Sequence, residues 1–308
     1  MSTLFDNNDS FDTTPAAPLS EPDPIGVGAA ALDLSTAPAA GDETTITVQA
    51  PLPVYSNDQI ASYIRSGYFG ADYKWSSGTI TYNVGNLTAE GAALARQAFA
   101  LYNALLSPAF VETTGSANIT FDDNQAGAFA SFSASGSTIT SANVNVSTAW
   151  LAAYGTGLDT YSFQTYLHEI GHALGLGHAG NYNGSATYVT DSTQAGAGTN
   201  HYLNDSWQAT MMSYFDQAEN TYVPASYATL ISPMIADLIA LGGKYGLWSG
   251  GFSSNTTWGF NTNITTTSYA SLASLANHTA FTLYDAGGID TVDWSGYSAN
   301  QVINLNPE

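Results

Sequence analysis

Apolar residues recur along this chain with two different periods, and one long stretch has none. Residues 1–50 show no periodic pattern. Pro15, Pro18, Pro22, Pro24 and Pro38 punctuate scattered Asp, Ser and Ala. Such a segment buries too little apolar surface to offset the entropy of folding, so it is expected to be a disordered leader or a removable pro-segment. Order is expected from Ser56, where Ser56-Asn57-Asp58-Gln59 reads as a capping box ahead of Ile60, Tyr63 and Ile64 on one helical face. Thr79 to Val84 alternates and is rich in β-branched and aromatic residues, the mark of a strand. Thr88 opens a helix in which Leu94, Ala98, Leu101 and Leu105 keep the helical period, and Pro108 stops it. Short strands are expected at 110–112, 118–121, 129–132 and 144–146, then a long helix over about 162–174. Residues 179–231 are mostly Gly, Asn, Ser, Thr and Ala and predict an extended irregular loop. Ser232 as cap and Pro233 at the first helical position predict a last helix to about Leu241. Beyond Gly251, short Thr- and Asn-rich segments point to β structure.

Composition narrows the function classes. Apolar residues make up 44% of the 308, which is ordinary, but charged residues only 9%. The charge is one-sided, with 25 acidic residues against 4 basic ones (Arg65, Lys74, Arg96 and Lys244) and a net charge of -21. Phosphate contacts need Lys and Arg, so nucleic-acid binding has no support. Docking to anionic membranes is disfavoured for the same reason. Sparsely paired carboxylates favour calcium, a hard ion that takes oxygen ligands. There is no cysteine, which excludes disulfides, thiolate metal sites and a cysteine nucleophile. No apolar run approaches the roughly 20 residues of a membrane span, and MSTLFDNNDSF lacks the basic and apolar regions of an ordinary secretory signal.

The chemistry concentrates at 168–178, HEIGHALGLGH. His168 and His172 stand four apart, on one face of a helix, and can hold one metal ion together. Glu169 is rotated away from that face, which suits a base acting on metal-bound water. Gly175 can take a positive φ, end the helix sharply and bring His178 back as a third ligand. Three nitrogens with one open position make a catalytic zinc arrangement. Three of the five histidines fall in these eleven residues. His201 and His278 have no such company and are expected to be surface or hydrogen-bonded residues. Downstream, Thr210-Met211-Met212-Ser213-Tyr214 places a methionine in a tight turn after the zinc helix, the second signature of metzincins.

HEIGHALGLGH followed by MSYF resembles the serralysin family, secreted bacterial zinc endopeptidases with a calcium-binding C-terminal β-roll. The resemblance continues in 118–121, in Asp285-Ala-Gly-Gly-Ile-Asp290 with the following 291–296, and in 301–305; it covers about 56–308. It implies an α+β fold: a metzincin catalytic domain with a twisted, mostly parallel sheet carrying an antiparallel edge strand, a long active-site helix and a C-terminal helix, followed by the start of a β-roll or β-sandwich segment. The implied division is a leader at 1–50, a catalytic domain at 51–248 and the beginning of a calcium-binding domain at 249–308. Carried over by position, His168, His172, His178 and Tyr214 match zinc ligands, and Glu169 matches the general base. Met212 matches the methionine beneath the metal, and Tyr214 also matches the tyrosine that swings away to stabilise the transition state. Thr256, Asp285, Gly287 and Asp290 match calcium ligands. Ser254 and Phe252 depart from the glycine and arginine common in the family.

The expected function is zinc-dependent hydrolysis of peptide bonds in extracellular proteins, with Glu169 assisting attack by zinc-bound water. Zn2+ and Ca2+ are the implied cofactors. The implied partners are protein or peptide substrates, with a proteinaceous inhibitor or the chain's own pro-segment in the cleft. The chain is expected to be a monomer that neither inserts in membranes nor binds nucleic acid. The residues 129–132, if a sheet edge, would pair with an extended substrate. The chain stops before the family's Gly- and Asp-rich repeats and export signal, so secretion is implied by the resemblance alone. Two other classes compete: a catalytically silent zinc-binding surface or adhesion protein, and a cytosolic peptidase with a narrow target.

Overall fold

The computed structural model describes residues 2–6, 50–76 and 78–298. Most of the expected leader and the 301–305 stretch lie outside the described residues. Within the leader, Ser2–Asp6 forms a strand, β1, contrary to the expectation that the whole stretch lacks structure. Pairing with an open sheet edge uses backbone groups and needs no apolar pattern.

Ser56 caps α1 (Asn57–Ser62) as read from the sequence: its Oγ accepts from Gln59 N–H at 3.3 Å, and Gln59 Oε1 accepts from Ser56 N–H at 2.9 Å. The helix then widens into a π-turn over Tyr63–Gly67. β2 (Thr79–Asn86) buries Ile80, Tyr82 and Val84, alternate positions facing one side. α2 (Ala89–Leu105) buries Leu94, Ala98, Leu101 and Leu105 and is capped by Thr88. The next strands are β3 (Ala109–Glu112), β4 (Ile119–Asp122), β5 (Ala128–Ser135) and β6 (Thr138–Val146). β5 and β6 are longer than expected and form a hairpin turning at Gly136, φ 60°. Their Ser, Ala, Thr and Asn positions carry little apolar signal, and the pairing itself extends them. α3 (Thr148–Tyr154), capped by Ser147, is a two-turn helix that the apolar pattern did not predict.

These strands make one sheet in the order β1-β5-β6-β4-β2-β3. β3, β2, β4 and β6 run parallel, and β5 runs antiparallel to β6 on one side and to β1 on the other. This is the mostly parallel sheet with an antiparallel strand that was expected of the α+β fold. One face is covered by α2 and by α4 (Tyr161–Ala173). Phe99 stacks on Tyr82 at 3.8 Å and meets Phe121 edge-on, while Tyr102 Oη donates to Leu167 O at 2.8 Å and ties the two helices together. Every residue from Ser162 to Ala173 is buried.

Residues 179–228 are irregular, as predicted, and end in the short strand β7 (Thr229–Leu230). The last long helix, α5 (Ile235–Tyr245), starts later than Ser232. Ser232 does not cap it. Its hydroxyl accepts from Thr282 N–H and donates to Pro233 O, while the Asp237 carboxylate accepts from Met234 N–H at 2.8 Å and closes the helix start. Among the described residues beyond it lie only short pieces: β8 (Thr257–Gly259), a 3-10 turn over Ser268–Ser271, α6 (Leu272–Leu275), β9 (Thr279–Ala280) and β10 (Thr291–Asp293). β9 pairs with β7 and β10 with β8, both parallel. Among the described residues no helix is long and apolar enough to cross a membrane.

Candidate metal centre

α4 sets His168 and His172 one turn apart, with their Nε2 atoms 3.0 Å from each other. The helix ends at Ala173, and Gly175 takes φ 86°. A Cβ at Gly175 would stand 2.1 Å from Tyr73 O, so the sharp turn needs both the left-handed backbone and the missing side chain. The turn returns His178, whose Nε2 lies 3.0 Å from that of His172. The three rings are buried and their metal-binding nitrogens all lie within 4.8 Å of one another. Among the described residues this is the only group of three or more His, Asp or Glu side chains able to share one ion.

The protons on these rings are set by their other nitrogens. His168 Nδ1 donates to Met211 O at 2.7 Å and His172 Nδ1 to Leu176 O at 2.8 Å. A carbonyl only accepts, so Nδ1 carries the hydrogen and Nε2 presents a lone pair. His178 Nδ1 lies 3.3 Å from Tyr68 Oη. Lone pairs converging at 3.0 Å repel unless a cation sits among them. Three ligands about 2.1 Å from one tetrahedral zinc lie about 3.4 Å apart, so the trio fits such an ion with small adjustments. Glu169, fully buried, follows His168 on the same helix.

The turn after the loop lies under the helix. Met212 is fully buried, and its Sδ would be 3.0 Å from a Cβ on Gly171, between the two helical histidines. The turn is pinned by Asp237: Thr210 Oγ1 donates to Oδ1 at 2.5 Å, and Met211 N–H donates to Oδ2 at 2.8 Å. Burial pushes the Asp237 carboxyl up to about 6 against the pull of these donors. Tyr214 brings its ring to 4.6 Å from His178 and 6.2 Å from His168, and its Oη accepts from Gly184 N–H at 3.3 Å. Tyr182 stacks on Tyr214 and donates to the fully buried Asp205, whose carboxyl burial raises to about 7.

The other expected residues divide cleanly. Thr256, Asp285, Gly287 and Asp290 come together at two facing loops. Thr256 N–H donates to Asp290 Oδ1 and Gly287 N–H to Asp285 Oδ1, both at 2.8 Å. Burial, and then the neighbouring Asp290, raise the Asp285 carboxyl. A Cβ at Gly288 would meet Ser254 O at 2.9 Å, which shows how closely the loops approach. His201 lies against Tyr63, 4.9 Å between rings, and His278 pairs with Asp159 at 3.1 Å. Both stand outside the cluster, as expected. Sequence reading missed Tyr68, Tyr182, Asp205 and Asp237. Tyr68 is 110 positions from the ring it touches, and no local pattern announces such a contact.

Comparison with known proteins agrees with this geometry. The family model described as metallo-peptidase family M12B Reprolysin-like matches residues 55–239. The one described as Peptidase M10 serralysin C terminal matches 252–308. The chain is 38% identical over 155 residues to Metallopeptidase AprA of Pseudomonas marginalis, a stretch covering 48% of this chain and 30% of that protein. It is 39% identical over 155 residues to Serralysin C of Dickeya chrysanthemi, covering 49% and 30%. It is 37% identical over 158 residues to Metalloprotease AprA of Pseudomonas entomophila, covering 49% and 30%. The aligned stretch is thus under a third of the length of these relatives.

Proposed function

Because the chain belongs to the Reprolysin-like metallo-peptidases and is a serralysin-type metzincin, we propose that it is a zinc-dependent endopeptidase acting on protein substrates. The observation that carries this is the convergence of the three Nε2 atoms of His168, His172 and His178. A zinc ion held there supplies Lewis acidity, polarising a peptide carbonyl and lowering the pKa of a water molecule from about 15.7 toward about 7.

The chain's own groups do the rest. The carbonyls of Met211 and Leu176 hold two rings in the tautomer that ligation needs. The Glu169 carboxylate takes a proton from the attacking water and passes it to the leaving amine. The Tyr214 hydroxyl, beside His178, donates to the oxygen that gains charge when the carbonyl is attacked. One such donor is typically worth about 3 kcal/mol in the transition state. Thr256, Asp285, Gly287 and Asp290 hold calcium, which would clamp the two loops they occupy. The site of action is outside the cell, as for the family that the motifs resemble.

β5 is the strand along which an extended substrate would add. The position of β1 on its outer edge, Thr3 opposite Ser133 and Phe5 opposite Phe132, supports a role for the N-terminus as a pro-segment that occupies this edge. Phe132 meets Phe69, which meets Tyr68, which meets His178, so the edge lies a few side chains from the metal site.

The test is metal analysis joined to mass spectrometry of a digested protein. We expect one zinc per chain and cleavage that stops with chelator. Glu169→Gln should keep its zinc and lose at least about a hundredfold in kcat. Full activity in that variant would reject the mechanism. Bound zinc without cleavage in the wild type would favour the silent surface protein instead.

A further inference from the structure

Tyr214 is gripped by one short segment. Four residues after His178, Tyr182 is buried and stacks on Tyr214, with ring centroids 4.6 Å apart and planes 29° from parallel. The Tyr182 hydroxyl accepts from Tyr214 N–H at 3.3 Å and donates to the Asp205 carboxylate at 3.1 Å. Two residues on, Gly184 N–H donates to Tyr214 Oη at 3.3 Å. Ring face, backbone amide and phenol oxygen are therefore all held by residues 182–184. The grip has a cleared space: a Cβ at Gly180 would stand 2.3 Å from the Tyr182 ring and 3.0 Å from Asp205 Oδ2.

We propose that Tyr182, anchored by Asp205, is a positioning residue that keeps Tyr214 aimed at the reacting carbonyl. The proposal rests on the peptidase reading. A phenol stabilises developing charge most when its position is set before the charge appears, and a ring free to wander must be ordered during the reaction. The stack restricts the Tyr214 ring, and the amide bond fixes the backbone that carries it. Phenylalanine at 182 keeps the stack while deleting the acceptor for the amide and the link to the carboxylate, so it isolates the polar half of the grip.

The experiment compares zinc-loaded wild type, Tyr182→Phe, Tyr214→Phe and the double variant on a fluorogenic peptide that the wild type cleaves. Tyr182→Phe should lose about tenfold in kcat with KM changed less than about twofold and zinc content intact, the pattern for an interaction made in the transition state. In the Tyr214→Phe background the same change should cost less than about twofold, because the residue acts through the hydroxyl already removed. Asp205→Asn, which keeps an acceptor for the Tyr182 hydroxyl, should stay within about threefold of wild type. A second readout needs no metal. In zinc-free protein with 13C-labelled tyrosine rings, the Tyr214 signal, assigned by its loss in Tyr214→Phe, should move in Tyr182→Phe. Unchanged kcat in Tyr182→Phe, additive losses in the double variant, or an unmoved Tyr214 signal would each overturn the proposal. A wild type that binds zinc and cleaves nothing would overturn the peptidase reading instead, and the Tyr214 signal would still decide whether Tyr182 holds that ring.

Discussion

Asp237 shows how much of a metal centre lies in residues that never touch the metal. Its two oxygens accept from Thr210, Met211 and Met234, and so fix the turn whose carbonyl holds His168. Burial raises its carboxyl to about 6 from an ordinary 3.8. Between about pH 4 and 6 the native protein therefore binds a proton that the unfolded chain has released. Stability falls as pH rises through that window, and the cost, on the order of 3 kcal/mol, is fully present above it. Asparagine can accept from both amides through its oxygen and donate to Thr210. We expect urea unfolding of Asp237→Asn to show a weaker fall in stability from pH 4 to 6 than the wild type. Equal slopes would mean that another group carries the pH dependence. No local pattern singles out Asp237, because two of its three partners come from a turn 26 and 27 positions away.

At the scale of elements, a helix, a turn and a strand edge each make a separate contribution. α4 brings two histidines of the cluster together by its period, but the place of the third depends on Gly175. Alanine there must adopt a left-handed backbone, at about 1–2 kcal/mol, and must also push against Tyr73 O. Gly175→Ala should bind zinc at least about tenfold more weakly and melt lower than wild type, as calorimetry and metal titration would show. The strand edge leads to a different expectation. If β1 occupies the place of a substrate on β5, deleting residues 1–6 should raise kcat/KM on a long unfolded substrate by about tenfold or more. It should change cleavage of a very short peptide much less, because that peptide gains little from strand pairing. No difference between the two chains would remove β1 from the mechanism. The legible elements were those with a strong period, α2, α4 and β2. α3 was hidden by its two-turn length, and the start of α5 by a Ser-Pro pair whose hydroxyl bonds elsewhere.

For the whole molecule, the histidine trio spans segments that backbone hydrogen bonds already link: the end of α4 and the turn after it, through Leu176 N–H to Gly171 O at 3.0 Å, and that turn and the chain before α5, through Ala179 N–H to Met212 O at 3.1 Å. An ion at about a thousand times its dissociation constant stabilises the native state by about 4 kcal/mol. Removing zinc with a chelator should therefore lower Tm by on the order of 10 °C. A smaller shift would indicate that the site is already rigid without metal. The C-terminal stretch is joined to the same body. β9 pairs with β7, Ser268 Oγ donates to Ile231 O at 2.7 Å, and Tyr269 is fully buried.

What the amino-acid order determined by itself was chemistry bound to local period. His168 and His172 could be read because helix geometry maps a spacing of four onto one face whatever surrounds it, Gly175 and His178 because a glycine can end a helix sharply, and the methionine turn through its resemblance to the metzincin signature. The Ser56 cap and the apolar stripe of α2 were legible because each is set within a few residues of itself. Tertiary structure decided the rest. It paired β1 with β5, placed Tyr68 against His178, and set Asp205 behind Tyr182 and Asp237 behind the turn. Those contacts join residues far apart along the chain, and a hydrogen-bond acceptor or a sheet edge acquires its partner only when folding brings one within about 3 Å.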